Sequence, residues 1–101
     1  MLKTKKRYKV RAHVELWPGE QGAWHFAHVE KKLSAEIQER HGMHKRGFGS
    51  LPVEVTLGKT KWKTSIFPER HSGTYLLPLK AAVRRAEGIA AGDTIAFVLK
   101  I

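Results

Sequence analysis

Leu51-Pro52-Val53-Glu54-Val55-Thr56-Leu57-Gly58-Lys59, continued by Trp62, Thr64 and Ile66, is the stretch whose reading decides the fold. From Leu51 to Leu57 apolar and polar side chains alternate, which is the period of a strand with one face buried. Gly58-Lys59 separates that run from a second alternating one, the spacing of a hairpin. Pro52 falls on the polar face and has no N–H to give to a ladder, so it marks an edge or a bulge.

The same period recurs toward the N-terminus. From Tyr8 to Trp17, Val10, Ala12, Val14 and Leu16 share one face while Arg11, His13 and Glu15 share the other. Trp17-Pro18-Gly19 with Gly22 breaks the run, and Trp24 to Val29 reads as a second strand. A short helix is predicted over 34–41, with Ser34 as N-cap, Glu36 in the first turn, Leu33 and Ile37 on one face and Gly42 as the stop. Toward the C-terminus, Thr74 to Leu77 makes a fifth strand. Pro78 suits the first turn of a second helix, Lys80 to Glu87, which ends at Gly88 and packs through Val83 and Ala86. Gly92-Asp93 opens a last strand, Thr94 to Ile101, expected to be paired inside the sheet. Six strands and two short helices, with turns roughly eight to twelve residues apart, predict an all-β fold, a small closed six-stranded β-barrel with two short helices, over a layered α/β arrangement.

A chain of 101 residues, 42% apolar and 28% charged, is sufficient for one hydrophobic core. The expected organisation is a basic N-terminal tail over 1–7 and a barrel domain over 8–101. There is no cysteine, which excludes disulfides, thiolate metal sites and cysteine nucleophiles and fits a reducing compartment. No run approaches the roughly 18 apolar residues of a membrane span, and the charged start MLKTKKRYKV has no apolar signal core behind it. The expectation is a cytoplasmic protein without a membrane contact.

Nineteen Lys and Arg against nine Asp and Glu leave a net charge of +10. Such a field attracts polyanions, and nucleic acid is the leading partner on electrostatic grounds, although a solvated basic surface accounts for the same residues without a ligand. Lys3, Lys5, Lys6, Arg7, Lys9 and Arg11 crowd the first eleven positions, in part as a solvated tail. In Arg46-Gly47-Phe48-Gly49-Ser50, two glycines beside an arginine and an aromatic let backbone amides approach a phosphate or carboxylate. A strand follows rather than a helix, so this is not a phosphate-binding loop, and a bulge or barrel corner explains the glycines equally well. Lys61 and Lys63 project from the polar side of their strand, and Lys80 and Arg84, four apart, share a face of the second helix. With Arg46 they are expected to line one phosphate-contacting surface, to which Phe67 or Trp24 adds base stacking. Trp62 falls on the inward face and reads as core.

Other chemistry is weakly supported. His25 and His28 sit three apart on a strand and point to opposite faces, so they do not chelate one ion. His41 and His44 can meet at a helix end but lack further ligands, and no metal or cofactor is expected. Asp93, the only aspartate, is explained by its turn; Ser34, Ser50, Ser65 and Ser72 lack a nucleophile-elbow context; Glu15 and Glu54 lie on polar, solvated strand faces. The expectation is a protein that is not an enzyme.

Three blocks carry a resemblance: Arg46-Gly47-Phe48-Gly49-Ser50-x-Pro52-Val53-Glu54-Val55-Thr56, then Trp62-x-Thr64-Ser65-x-Phe67-Pro68, then Tyr75 through Gly88 with Gly92-Asp93. Together they resemble the bacterial domain-of-unknown-function family nineteen-oh-five, from about Tyr8 to the end. The resemblance implies a small β-barrel and no established activity. A shorter likeness, Val83-Arg84-x-x-x-Gly88-Ile89-x-x-Gly92-Asp93-x-Ile95, is to the swapped-hairpin barrels of transition-state regulators and antitoxins. It implies barrel architecture, with the aspartate tying neighbouring backbone amides. The resulting expectation is an uncharacterised, non-enzymatic binding or accessory domain that contacts nucleic acid through a basic face. The alternative is a barrel that holds a small acidic ligand or docks on a protein.

Overall fold

Each alternating segment leaves one apolar row that water does not solvate well, and six such rows are buried together when the strands close on themselves. The computed structural model describes residues 5–19, 22–45 and 47–101. The strands are β1 (Arg7–Gly19), β2 (Gly22–His28), β3 (Leu51–Leu57), β4 (Thr60–Glu69), β5 (Thr74–Pro78) and β6 (Thr94–Lys100). They form a closed antiparallel barrel in the order β1-β2-β5-β4-β3-β6, with β6 returning to β1. Val10, Val14, Ala27, Val53, Val55, Ile66, Leu77, Phe97 and Leu99 fill the interior, so the alternation read in β3 and β4 does face inward. Among the described residues, no helix is long and apolar enough to cross a membrane.

Two helices meet the barrel at its ends, and both differ in detail from expectation. The first, α1 (Lys31–His41), starts one turn earlier than predicted, and its N-cap residue, Glu30, makes no side-chain cap bond. Ser34 is inside the helix, so Glu36 is not in the first turn either. Ser34 is buried because two backbone groups need it: its Oγ donates to Val29 O at 2.9 Å and accepts from Tyr75 N–H at 3.0 Å. A hydroxyl that satisfies buried strand ends outweighs the local preference for capping. Ile37, one turn on, is fully buried beside it.

The second helix is α2 (Ala81–Glu87). Pro78 ends β5, opposite Phe26, instead of opening this helix, and Ala86 is exposed while Val83 alone is buried. The helix meets the barrel along a single turn, so one apolar position suffices. It also clamps the β3–β4 hairpin, since Thr60 Oγ1 donates to Glu87 Oε2 at 2.6 Å. At Gly58, φ is +58° and an added Cβ would overlap the Glu87 carboxylate, so this turn requires glycine.

The start of β1 and the end of β6 are joined by the residues that flank them. Lys6 N–H donates to Ile101 O at 3.1 Å and Ile101 N–H to Lys6 O at 3.0 Å. Arg7, expected in a solvated tail, is the first residue of β1, and Lys6 extends the β1–β6 ladder by one step, giving the backbone of Ile101 its partner. Pro52 sits where β3 has β4 on one side but lies beyond the β6 pairing, which covers Glu54 to Thr56; its missing N–H costs nothing at that margin.

Replacing Ser34 by alanine strips a buried carbonyl and a buried amide of their shared partner. Chemical denaturation of Ser34→Ala is expected to show a loss of about 1–3 kcal/mol with an unchanged slope; a loss below about 0.5 kcal/mol, the range of surface changes, would remove the hydroxyl from this role.

Candidate functional site

Ladder pairing decides which charges become neighbours on the outside of the barrel. Arg7 pairs with Lys100, Lys100 with Glu54, and Glu54 with Lys63, which makes one row across β1, β6, β3 and β4. The next row runs Lys9, Val98, Thr56, Lys61 by the same pairings. With Arg11 further along β1 and Lys5 Nζ 3.2 Å from Glu54 Oε2, the described residues place seven cations (Lys5, Arg7, Lys9, Arg11, Lys61, Lys63, Lys100) on this side of the barrel, of which Lys5, Lys100 and Lys63 act on the Glu54 carboxylate. The hydrogen bond and charge of Lys5, followed by Lys100 and Lys63, hold the Glu54 carboxyl below its usual range. Glu54 was expected to be merely solvated; it is the counter-charge of a basic face. A shallow groove of about 380 Å³ runs along this face between Arg7, Lys61, Lys63 and Lys100, with Trp62 at one side.

At the α2 end the inward-pointing residues no longer meet a full core. His25, Trp62 and Thr64 are half-buried there and line a cleft of about 190 Å³. Lys80 and Arg84 form its opposite wall and Trp24, 60% exposed, its lip. Arg84 Nε donates to Leu79 O at 3.1 Å, and Leu79 N–H to His25 O at 2.9 Å, which fixes the guanidinium against β2. The Nδ1 of His25 is buried without a protein partner. Burial, and then the charge of Arg84, lower the pKa of His25 below 6.5. None of the described residues lining the cleft is a carboxylate.

The expected single surface is therefore divided. Lys61 and Lys63 lie on the outer face and Lys80 and Arg84 in the cleft, and Trp62, read as plain core, borders both. Arg46 lies outside the described residues. Gly47 and Gly49 form a 3-10 turn at the opposite end, where Gly49 has φ +76° and an added Cβ would meet Pro68 Cγ at 3.1 Å. Pro68 is five residues from Lys63 on β4, about 17 Å away at strand rise. The two glycines thus turn a barrel corner and are not brought to the lysines. Trp24 joins the cleft as a stacking candidate, whereas Phe67 lies lower on β4, opposite Leu76.

His41 and His28 have partners on other elements that local spacing does not reveal. His41 Nε2 is 2.9 Å from the Tyr8 hydroxyl. His28 points away from His25, as the spacing required: its Nε2 lies 2.6 Å from Glu15 Oε2, off the N–H direction, and its Nδ1 lies 3.0 Å from Thr74 Oγ1. Glu15 also accepts from Trp17 Nε1 at 3.2 Å, so it too is engaged rather than free in solvent. This carboxylate, imidazole and hydroxyl stand in line, but Thr74 Oγ1 is shared with Ser72 Oγ at 2.6 Å. The amides of His71 and Ser72 donate to Glu69, whose carboxyl the Ser72 and His71 hydrogen bonds lower to about 2. With those amides occupied, the set pins β1, β2 and β5 and offers no oxyanion site from that turn. At Asp93, Oδ2 accepts from Ala90 N–H at 2.8 Å, the turn-tying contact that the resemblance implied.

The family model described as Domain of unknown function (DUF1905) matches residues 3–99. No curated protein matches the chain.

A His whose native pKa is lowered favours the neutral ring, so its contribution to stability is complete above 6.5 and is lost as pH falls toward the native value. NMR titration is expected to show His25 titrating below 6.5, and Arg84→Gln to raise it only part of the way, because burial is the larger cause. A native pKa at or above 6.5 would contradict the cleft geometry.

Proposed function

The chain belongs to the DUF1905 family, whose description assigns no activity, and we propose that it is a non-enzymatic binding domain that holds nucleic acid by its phosphates on the outer face of β1, β6, β3 and β4. The observation that carries this reading is the cross-strand row Arg7, Lys100, Glu54, Lys63 with its neighbour Lys9 to Lys61. Like charges set opposite each other, as Arg7 and Lys100 are, destabilise a sheet, and Glu54, opposite Lys100 and Lys63 and already bonded to Lys5, offsets only part of the positive charge of the row. Three inter-strand gaps separate Arg7 from Lys63, about 14 Å, and a nucleic acid strand places a phosphate about every 3.4 Å of helix axis. That width suits several phosphates of one strand better than one small anion. A cysteine-free chain fits a reducing compartment, and the cytoplasm is the setting we assign.

Mobility-shift titration with short oligonucleotides tests this. Affinity is expected to fall log-linearly with salt, and the double variant Lys61→Gln/Lys63→Gln to make the slope shallower by about 1.4 for a single strand, at about 0.7 per lost contact. Absence of a complex at tens of micromolar in low salt would overturn the reading, and a salt-insensitive complex would favour the competing one, a barrel for a small acidic ligand or a docking protein.

A further inference from the structure

Outer-face phosphate contacts cannot tell a single strand from a duplex, but the cleft beside α2 can. Its volume is about 190 Å³, against about 380 Å³ for the groove on the outer face. Two tryptophans border it, and the exposed Trp24 ring presents a surface on which any base can stack. Lys80 and Arg84 supply positive charge, with no carboxylate among the described lining residues. His25 Nδ1, buried and unpartnered, is a polar atom left over by the fold, and such atoms are rare because each is costly. The half-buried His25 ring itself lines the cleft, so a base that enters lies beside it. Trp62 lies between this cleft and the cationic groove, so a strand on the outer face passes its mouth.

We propose that the cleft formed by Trp24, His25, Trp62, Lys80 and Arg84 is a pocket for one unpaired base and its phosphate, so that the nucleic acid held by this protein is single-stranded. The base packs against the tryptophans, its edge meets His25, and its phosphate lies on Lys80 and Arg84. A paired base would first have to leave its stack, which penalises duplex. This inference rests on the outer-face reading and adds strand selectivity to it.

The test uses the full chain with a short oligothymidylate and with a duplex of equal length. The single strand is expected to bind roughly tenfold or more tightly than the duplex, to quench tryptophan emission and to move the His25 NMR signals. Trp24→Ala and Arg84→Gln are each expected to weaken single-strand binding by roughly tenfold. Because Trp24 also stacks on Phe26 at 6.3 Å, the His25 signals of the unaltered protein provide a reading independent of any variant. If oligonucleotides bind and respond to Lys61→Gln/Lys63→Gln, while strand preference is absent and the His25 signals stay still, the base pocket is refuted and the outer-face reading stands. If neither probe binds, both fall.

Discussion

β6 hydrogen-bonds to β1 on one side and to β3 on the other, and that join turns a run of hairpins into a barrel. The seam is unequal: the β1 ladder runs from Arg7 to His13, whereas the β3 ladder covers only Glu54 to Thr56. The Lys6–Ile101 backbone pair continues the β1 side of the seam beyond Lys100. Phe97 and Leu99 then complete an interior that β1, β3 and β4 leave open on one side. Each of the six strands then has a neighbour on both sides over part of its length, which shortens the sheet edge open to another chain.

The same seam makes the basic face. Lys100 on β6 stands between Arg7 of β1 and Glu54 of β3, so charges far apart in sequence become a surface only through closure. Among the described residues that line the groove Glu54 is the single carboxylate, and it is already held by Lys5. Inward and outward parity therefore carry separate duties: the inward rows stabilise the barrel, and the outward rows store positive charge. The cleft beside α2 lies where this division ends. There the inward residues are His25, Trp62 and Thr64, and the helix above them contributes Lys80 and Arg84 rather than a complete apolar lid.

Period-two alternation made the barrel readable, since Val53, Val55 and Ile66 must share a face whatever lies opposite them. What local patterns could not supply was the identity of the opposite strand. Ser34 resembled a helix cap because serine caps helices, yet its hydroxyl serves Val29 and Tyr75, the latter 41 positions away. Pro78 carried a helix-start signal and was claimed by the end of a strand. Lys61 and Lys63 were legible as an outward pair, and Lys80 with Arg84 as another. That Trp62 stands between the two pairs depended on the tilt of the strands and the position of α2. His25 was missed as a site residue because its significance lies in a partner it does not have, and no spacing rule reports that. Gly47 and Gly49 were drawn toward phosphate chemistry by composition, while the backbone used Gly49 for a corner against Pro68.

Closure by β6 can be observed directly through inter-strand nuclear Overhauser contacts at both of its sides. Backbone and side-chain contacts linking Val10 to Phe97 and Val55 to Leu99 in the same species are expected, together with strongly protected amides along β6. Contacts to β1 without those to β3, or rapid exchange of the β6 amides, would show an open sheet and contradict the barrel on which both the core and the basic face depend.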